Sequence, residues 1–289
     1  MSWQVAIVLV IIASSVLPLF TRTLTLRHSH AFFTIGLSMY AAVATVGFVI
    51  SFLGRGGIPP LPVPEAWPYI VLEGICIPMA WLIMYKIVGM IGASNAALAN
   101  SANIVLSVIA GVIVLHEGVS WKFLLGAACI IVAMLLALTI RADKKHASKG
   151  ALGLKVLLLL VGAVLYAIGM LTEKQAISMI GVWDYALYGW TAQAMGVGVI
   201  VGIFGWREFR RTTPKVLQDG FILGLLTSVA GGLYIYALSK GTLSGTMLAI
   251  SAKIALTMVL ATIFLGERNN IEMRFLAFVC TIIGLALVL

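Results

Sequence analysis

Ten apolar stretches of membrane-spanning length follow one another along this chain of 289 residues. A transmembrane helix needs about 20 residues, so ten of them leave room only for short connections and tails. The pattern therefore predicts an all-α integral membrane protein with ten transmembrane helices and no soluble domain. The approximate bounds of the spans are 4–20, 32–53, 67–85, 93–115, 121–140, 152–172, 184–204, 217–238, 244–265 and 271–289.

The composition agrees with a membrane location. Charged residues make up 10% of the chain, whereas soluble domains carry about 25%, so a soluble enzyme is nearly excluded. The net charge of +9 is expected to reflect basic loops on the cytoplasmic side of a membrane rather than nucleic-acid binding. The three cysteines lie inside apolar runs without a metal-binding spacing, and neither a metal nor another cofactor is expected.

The second half of the chain repeats part of the first. The segment from Ser94 to Glu117 aligns with the segment from Ser244 to Glu267 at ten identical positions. Each half then holds five spans, and an odd number places the two halves in opposite orientations across the bilayer. We therefore expect two inverted five-helix repeats, over residues 1–140 and 152–289, joined by a basic cytoplasmic linker over 141–151. This architecture is typical of secondary transporters, whose solute site lies between the repeats.

Short motifs at corresponding places in the two halves resemble those of a known family. They are His116-Glu117-Gly118 and Gly266-Glu267-Arg268 after the fourth and ninth spans, and Tyr236-Ala237-Leu238 before the ninth. With the span number and the repeat, they resemble the drug/metabolite transporter superfamily, in its ten-helix EamA-like branch. Many members carry a proline early in the fourth and ninth helices, and here Ile104 and Ile254 stand near that place. The resemblance implies a membrane transporter of small metabolites.

Basic residues are distributed unequally between the two sides of the membrane. Odd-numbered connections hold 14 of them and even-numbered connections hold 4. The positive-inside rule then predicts a multi-pass protein of the inner (cytoplasmic) membrane with both termini outside the cytoplasm. Described members of the resembled branch usually have both termini inside, and we follow the charge count because it comes from this chain.

Two charged residues interrupt apolar runs well inside their spans. Lys253 lies near the middle of the ninth span, and Glu73 lies six residues into the third. Charge at bilayer depth is costly and usually marks function. We expect Lys253 to select an anionic or zwitterionic solute, either by binding it directly or by pairing with Glu73 until the solute arrives. The position of Lys253 also resembles the ninth-helix lysine of nucleotide-sugar and phosphate-translocating members. Glu73 is the predicted proton-coupling group.

Polar residues recur at helical spacing on the fourth and ninth spans, and we expect both stripes to face one wet compartment. The alternative is that they hydrogen-bond between helices without touching solute. Three further residues lie deep enough to line the compartment. The predicted substrate-binding residues are Lys253, Asn103, Asn100, Ser107, Thr257, Thr246, Trp81, Tyr234 and Gln193. Glu117 and Glu267 are expected to bind helix ends or loop amides instead.

The sequence therefore predicts a secondary transporter that moves a small polar metabolite, such as an amino acid or a phosphorylated compound, by alternating access. Its expected partners are the solute, protons or an exchanged solute, and the lipid bilayer, with no nucleic acid; the chain is expected to be a monomer or homodimer. The alternatives are an integral-membrane enzyme acting on a lipid-like substrate and a channel or scaffold. Neither a DxxD nor an HExxH group is present in the sequence to favour the enzyme.

Overall fold

The chain is described here from a computed structural model. It describes residues 2–28, 30–91, 93–139, 152–254, 256–257, 260 and 271–288, with the side chains of 22, 25–26, 86–102, 134–139, 152–156, 159, 271 and 273–274 outside the described set. Its helices are α1 (Trp3–Arg27), α2 (Phe32–Arg55), α3 (Trp67–Ile91), α4 (Ala93–Val114), α5 (Trp121–Thr139), α6 (Leu152–Ile200), α7 (Trp206–Phe209), α8 (Pro214–Lys240), α9 (Leu243–Ile250) and α10 (Ile271–Val288). A short π-helical turn, Val201–Gly205, joins α6 to α7.

Several helices begin at residues that satisfy their first backbone N–H groups. The hydroxyl of Ser2 accepts from the N–H of Val5 at the start of α1, and that of Thr242 accepts from Gly245 at the start of α9. Serine and threonine are favoured N-caps for this reason. Pro214 occupies the first turn of α8, where its missing N–H costs nothing.

Five helical stretches among the described residues are long and apolar enough to cross a membrane. They are Trp3–Thr21, Phe32–Arg55, Pro64–Tyr85, Leu160–Phe209 and Pro214–Lys240. Large apolar side chains also cover the outside of the helices, as at Met195 and Phe204, which are 67% and 72% exposed. Such a surface suits lipid rather than water. The all-helical membrane fold is confirmed at this level, while the count of ten spans and their inverted arrangement stay predictions.

The predicted loop between the sixth and seventh spans was wrong. Residues 173–183 continue the helix, and α6 is interrupted only at Gly181, whose φ of 79° and ψ of 165° are not helical. Glycine tolerates this backbone conformation, which other residues almost never adopt. We call residues 152–180 arm a and residues 182–200 arm b of α6. Glu173 and Lys174 consequently lie inside arm a instead of in a connection.

The chain reverses direction at Gly181, and α3 packs against both arms. Along arm a, Gly162 approaches Ile83 and Gly169 approaches Ile77, so arm a runs antiparallel to α3. Along arm b, residues later in the sequence contact residues later in α3, so arm b runs parallel to α3. Trp67 meets Tyr188 in an edge-on ring contact, and Gly74 meets Gly196. Helix α3 therefore lies in the fork between the arms.

The ninth predicted span is also interrupted. Helix α9 ends at Ile250, a turn follows at Ser251 and Ala252, and helical structure resumes at Lys253. The backbone stays hydrogen-bonded there but tightens to an i→i−3 pattern, with bonds from Ala252 to Ala249 and from Ile254 to Ser251. We call this irregular turn the break in the ninth span. Ile104 of α4 packs with Leu248 and Ile254 on either side of the break, so the fourth and ninth spans are in direct contact.

Polar side chains at the ends of the helices join odd-numbered connections to one another and even-numbered connections to one another. We call the end of the bundle that holds the odd-numbered connections the odd-numbered end, and the opposite end the even-numbered end. At the odd-numbered end, the contacts are His28 Nε2 to Asp219 Oδ2 at 2.8 Å and Thr34 N–H to Glu208 Oε1 at 2.8 Å. At the even-numbered end, Arg55 binds Asp184 and Lys174 Nζ donates to the carbonyls of Leu238 and Gly241 at 2.7 Å each. Also at this end, Glu117 accepts from the N–H groups of Leu243 and Ser244. The described ends therefore alternate as consecutive crossings of one membrane require.

Candidate functional site

Two glutamates and two neutral polar residues meet in the interior, and we call these four residues the carboxyl cluster: Glu73, Glu173, Tyr185 and Gln193. The hydroxyl of Tyr185 hydrogen-bonds Oε1 of Glu73 and lies 3.0 Å from Oε1 of Glu173. Nε2 of Gln193 also donates to Oε1 of Glu73. All four side chains are buried, with exposures of 0%, 3%, 0% and 6% respectively. Buried carboxyl groups are costly unless a basic group pairs with them, and none of the described residues does so here, which makes this cluster a candidate functional site.

The cluster is assembled by the fork in α6. Glu73 projects from α3, Glu173 from arm a, and Tyr185 and Gln193 from arm b. The crossing of α3 with arm b is unusually close, because a Cβ atom on Gly196 would lie 1.9 Å from the carbonyl oxygen of Gly74. Small residues allow such close approach of membrane helices. This crossing brings Glu73, the neighbour of Gly74, against arm b.

The cluster lies between the even-numbered end of the bundle and the middle of the membrane. Glu73 follows the start of α3 at Trp67 by six residues, which is about 9 Å along a helix. Glu173 precedes the reversal at Gly181 by eight residues, or about 12 Å. Apolar side chains surround this level, including Ile70, Ile77 and Met170. A proton would have to cross roughly two turns of helix to reach the cluster from that end.

Polar residues also occur on α4 and on the ninth span, two helices that pack together through Ile104, Leu248 and Ile254. Asn103 is 2% exposed, and its Oδ1 has no hydrogen-bond partner. Ser107 is fully buried and donates to the carbonyl of Asn103 at 2.8 Å. Lys253 is partly buried beside the break, and within the described part of the chain it has no hydrogen bond or ion pair. A buried amide oxygen and an ammonium group with unused hydrogen-bonding capacity are suited to a polar solute.

Other predicted residues on the ninth span bind protein groups. Thr246 is fully buried and accepts from Nε1 of Trp3 at 3.4 Å, while the hydroxyl of Thr257 donates to the carbonyl of Ser15 at 3.1 Å. These bonds hold the ninth span against α1. The side chain of Asn100 lies outside the described residues.

The three remaining predicted residues occupy different places. Gln193 belongs to the carboxyl cluster. Tyr234 is partly buried, and its hydroxyl contacts Sδ of Met170 at 3.2 Å, in the core cluster that also contains Tyr185. Trp81 packs edge-on against Tyr40, with ring centroids 6.1 Å apart, toward the odd-numbered end. They do not form one pocket with Lys253 among the described contacts.

Glu73 and Lys253 do not pair in this structure. The partners of Glu73 are Tyr185 and Gln193, and its second oxygen, Oε2, is buried without a hydrogen bond. The ion pair between Lys253 and Glu73 that was considered for the solute-free protein is therefore not formed in this conformation. The carboxyl group that does lie beside Glu73 is Glu173.

Sequence reasoning missed Glu173. It stands in the polar run Thr172 to Gln175, which is typical of a loop, and Glu73 was expected to be the one acidic group inside a span. A signal was nevertheless present in the sequence, because Met170, Glu173 and Ile177 follow helical spacing, and the structure buries all three. Extending the helix to the next strong breaker, Gly181, would have placed Glu173 on that inward face.

The fold and these two regions define a multi-pass membrane protein with ionisable and hydrogen-bonding groups in its interior. The model of the EamA-like transporter family matches residues 1–139 and again residues 153–289. The chain therefore belongs to the EamA-like transporter family, and the resemblance to the drug/metabolite transporter superfamily is confirmed. The protein is thus a membrane transporter in class.

Comparison with solved structures supports the same fold. One of them, described only as "Crystal structure of protein", aligns with a TM-score of 0.76 and 15% sequence identity, covering 99% of this chain and 96% of that chain. At this identity the likeness establishes the fold alone. No curated protein gave a significant match.

Proposed function

We propose that this chain is a secondary transporter that moves a small anionic or zwitterionic metabolite across the cytoplasmic membrane by alternating access. In this proposal its ten spans form two inverted repeats, with the solute site between α4 and the broken ninth span. Protons or an exchanged solute drive the cycle, and both termini lie outside the cytoplasm. Family membership supports transport, and the proposal adds the solute class and the mechanism.

The observation that carries the proposal is the unsatisfied polar region beside the break in the ninth span. Transporters commonly place solute sites near the bilayer midplane at irregular stretches of their helices. Here the buried Oδ1 of Asn103 lacks a partner, and Lys253 supplies a positive charge next to the break. A solute with a carboxylate or phosphate group and a hydrogen-bond donor would satisfy both groups.

Glu73 supports coupling to protons. It is fully buried between α3 and arm b of α6 and makes hydrogen bonds to side chains on that arm. Arm b packs on α2 through Gly47 and Ala186 as well as on α3. A change in the charge of the cluster would therefore alter the packing of several helices. Alternating access requires such a link between ion binding and helix arrangement.

The proposal is tested by identifying the solute and then removing the charge of Lys253. Purified protein is screened by thermal shift against amino acids, phosphorylated metabolites and organic cations, and uptake of the stabilising compound is measured in proteoliposomes. We expect Lys253→Ala to raise KM by about tenfold or more, since a tenfold change corresponds to about 1.4 kcal/mol of lost interaction. Lys240→Ala, at the exposed end of α8, is the matched control and should leave KM unchanged.

Three results would contradict separate parts of the proposal. An unchanged affinity of Lys253→Ala for the solute would show that Lys253 does not bind the solute. Stabilisation by organic cations alone would contradict the solute class. Uptake that is insensitive to the proton gradient, or full gradient-driven uptake by Glu73→Gln, would contradict coupling through Glu73.

A further inference from the structure

The hydroxyl of Tyr185 lies between two carboxyl groups that come from different helices. It hydrogen-bonds Oε1 of Glu73 and is 3.0 Å from Oε1 of Glu173. Tyr185 and Glu173 stand on opposite arms of α6, on either side of Gly181. The three side chains therefore form a chain of oxygens that crosses the fork.

The number of hydrogens available to this chain is limited. A tyrosine hydroxyl has one hydrogen to donate, and an ionised carboxylate has none. If both glutamates were ionised, one of the two contacts of Tyr185 would face two oxygens without a hydrogen between them. One carboxyl group must therefore carry a proton and donate it to the oxygen of Tyr185, whose own hydrogen then serves the other carboxylate.

The surrounding contacts decide which glutamate carries the proton. Oε1 of Glu73 already accepts from Tyr185 and from Nε2 of Gln193. A donor such as Gln193 favours the ionised form of the carboxyl group that it contacts, whereas Tyr185 is the one hydrogen-bond partner of Glu173 among the described residues. A proton on Oε2 of Glu73, which is buried with no partner, would also lack an acceptor. A proton on Oε1 of Glu173 finds its acceptor in Tyr185. Glu73 is then the ionised member and Glu173 the acid.

Other titratable groups near the pair are hydroxyl groups or are already occupied. Tyr40 of α2, Tyr166 of arm a and Tyr234 of α8 interact electrostatically with one or both glutamates. Lys174 follows Glu173 directly, but its Nζ donates to the carbonyls of Leu238 and Gly241. Within the described part of the chain, neither glutamate has a Lys, Arg or His side chain within ion-pair distance.

We propose that Glu173, hydrogen-bonded through Tyr185 to an ionised Glu73, is the binding site of the exchangeable proton in this protein. The proposal rests on the transport function above and names the residue that holds its coupling ion. On release, the O–H bond of Glu173 breaks and the proton passes to water entering from the even-numbered end. Two carboxylates then share the single hydrogen of Tyr185, and the repulsion between Glu73 and Glu173 favours separation of arm a from α3.

Infrared spectroscopy of the purified protein tests the proposal without a solute or a gradient. A protonated carboxylic acid has a C=O stretch well separated from the bands of an ionised carboxylate, and it shifts when the protein is moved into D2O. We expect a buried acid band in the unaltered protein and in Glu73→Gln. The band should be lost in Glu173→Gln, whose amide can still donate to Tyr185 and so preserves the fold.

A second variant guards against loss of structure in the first. Tyr185→Phe removes the acceptor of the Glu173 proton, so the acid band should persist but shift to the frequency of a weaker hydrogen bond. Glu65→Gln, in the exposed loop before α3, is the control and should leave the band unchanged. Persistence of the band in Glu173→Gln together with its loss in Glu73→Gln would overturn the proposal, as would the absence of any acid band.

Transport measurements separate this inference from the proposed function. With Glu173→Gln we expect solute exchange to continue while gradient-driven accumulation is lost. If accumulation is retained although the acid band disappears, Glu173 holds a proton that is not the coupling ion, and the inference is wrong while the transport function stands. If sodium rather than a proton gradient drives accumulation, the inference fails in the same way.

Discussion

The carboxylate of Glu117 accepts a hydrogen bond of 2.8 Å from the backbone N–H of Ser244, and so joins the end of α4 to the start of α9. Its other oxygen accepts from Leu243. Free N–H groups at a helix N-terminus favour negative charge, and the short motif around Glu117 provides it from another helix. The sequence prediction that Glu117 binds helix ends or loop amides is confirmed.

Removing this carboxylate should loosen the contact between α4 and α9. We expect Glu117→Ala to lower stability by about 1–3 kcal/mol, as for the loss of hydrogen bonds to a charged group, and to lower the thermal midpoint of the detergent-purified protein. Glu65→Ala removes an equal charge from an exposed loop and should have little effect. Equal midpoints for the two variants would show that the Glu117 contacts contribute nothing.

The crossing of α3 and arm b has no room for a side chain at Gly196. A Cβ atom there would lie 1.9 Å from the carbonyl oxygen of Gly74, so Gly196→Ala must push the helices apart. We expect a loss of about 1–3 kcal/mol, the usual range for overpacking, and a loss of coupled transport because Glu73 is displaced from arm b.

The control for this variant stands one half-turn further along the same helix. A Cβ atom on Gly198 would meet nothing within 4 Å, and alanine favours helix over glycine by about 0.5–1 kcal/mol. Gly198→Ala should thus be neutral or slightly stabilising in the thermal assay. If both variants behave alike, the close crossing does not hold the cluster together.

The unpaired amide oxygen of Asn103 should cost stability in the empty protein. Replacement by leucine removes a buried group without a partner, and we expect Asn103→Leu to raise the thermal midpoint by an amount equivalent to about 1 kcal/mol. Uptake by the same variant should be lost if Asn103 binds solute. Ser228→Ala, which removes a buried hydroxyl bonded to its own helix at Gly224, should retain uptake. A less stable Asn103→Leu variant with normal uptake would assign Asn103 to helix packing.

The ion pair between Arg55 and Asp184 is unequal in its exposure. The side chain of Arg55 is 44% exposed, whereas that of Asp184 is 8% exposed. Arg55→Met leaves a buried carboxylate without a partner and should destabilise more than Asp184→Asn, which leaves a guanidinium that water can reach. Thermal midpoints of both single variants and the double variant measure this difference. The double variant is expected to be more stable than Arg55→Met alone, and the opposite order would contradict this explanation.

The sequence was sufficient to predict features that depend on a single pattern. A charge inside an apolar run identified Glu73, and a short acidic motif after the fourth span identified Glu117. Features that depend on where a helix ends were not predictable in the same way. Thr172 to Gln175 has the composition of a loop, and only the packing of arm a against α3 keeps it helical, so Glu173 was missed.

Contacts between residues that are far apart in the sequence could not be predicted either. The chain contains several aromatic and amide residues at similar depth, and no local pattern indicates that Tyr185 and Gln193 approach Glu73. That contact depends on the closeness of Gly74 and Gly196, which are 122 positions apart in the sequence. One of the two roles considered for Lys253 paired it with Glu73, and this structure instead gives Glu73 the partners Tyr185 and Gln193.

The reversal at Gly181 bears on how the protein is made. Arm a and arm b are joined by a tight reversal instead of a long loop, so we expect them to enter the bilayer together as one hairpin. Glu173 and Tyr185 lie on the facing sides of that hairpin and can meet during synthesis, before α8 to α10 emerge from the ribosome. Glu73 is already in the membrane by then, and the nascent hairpin can close around it.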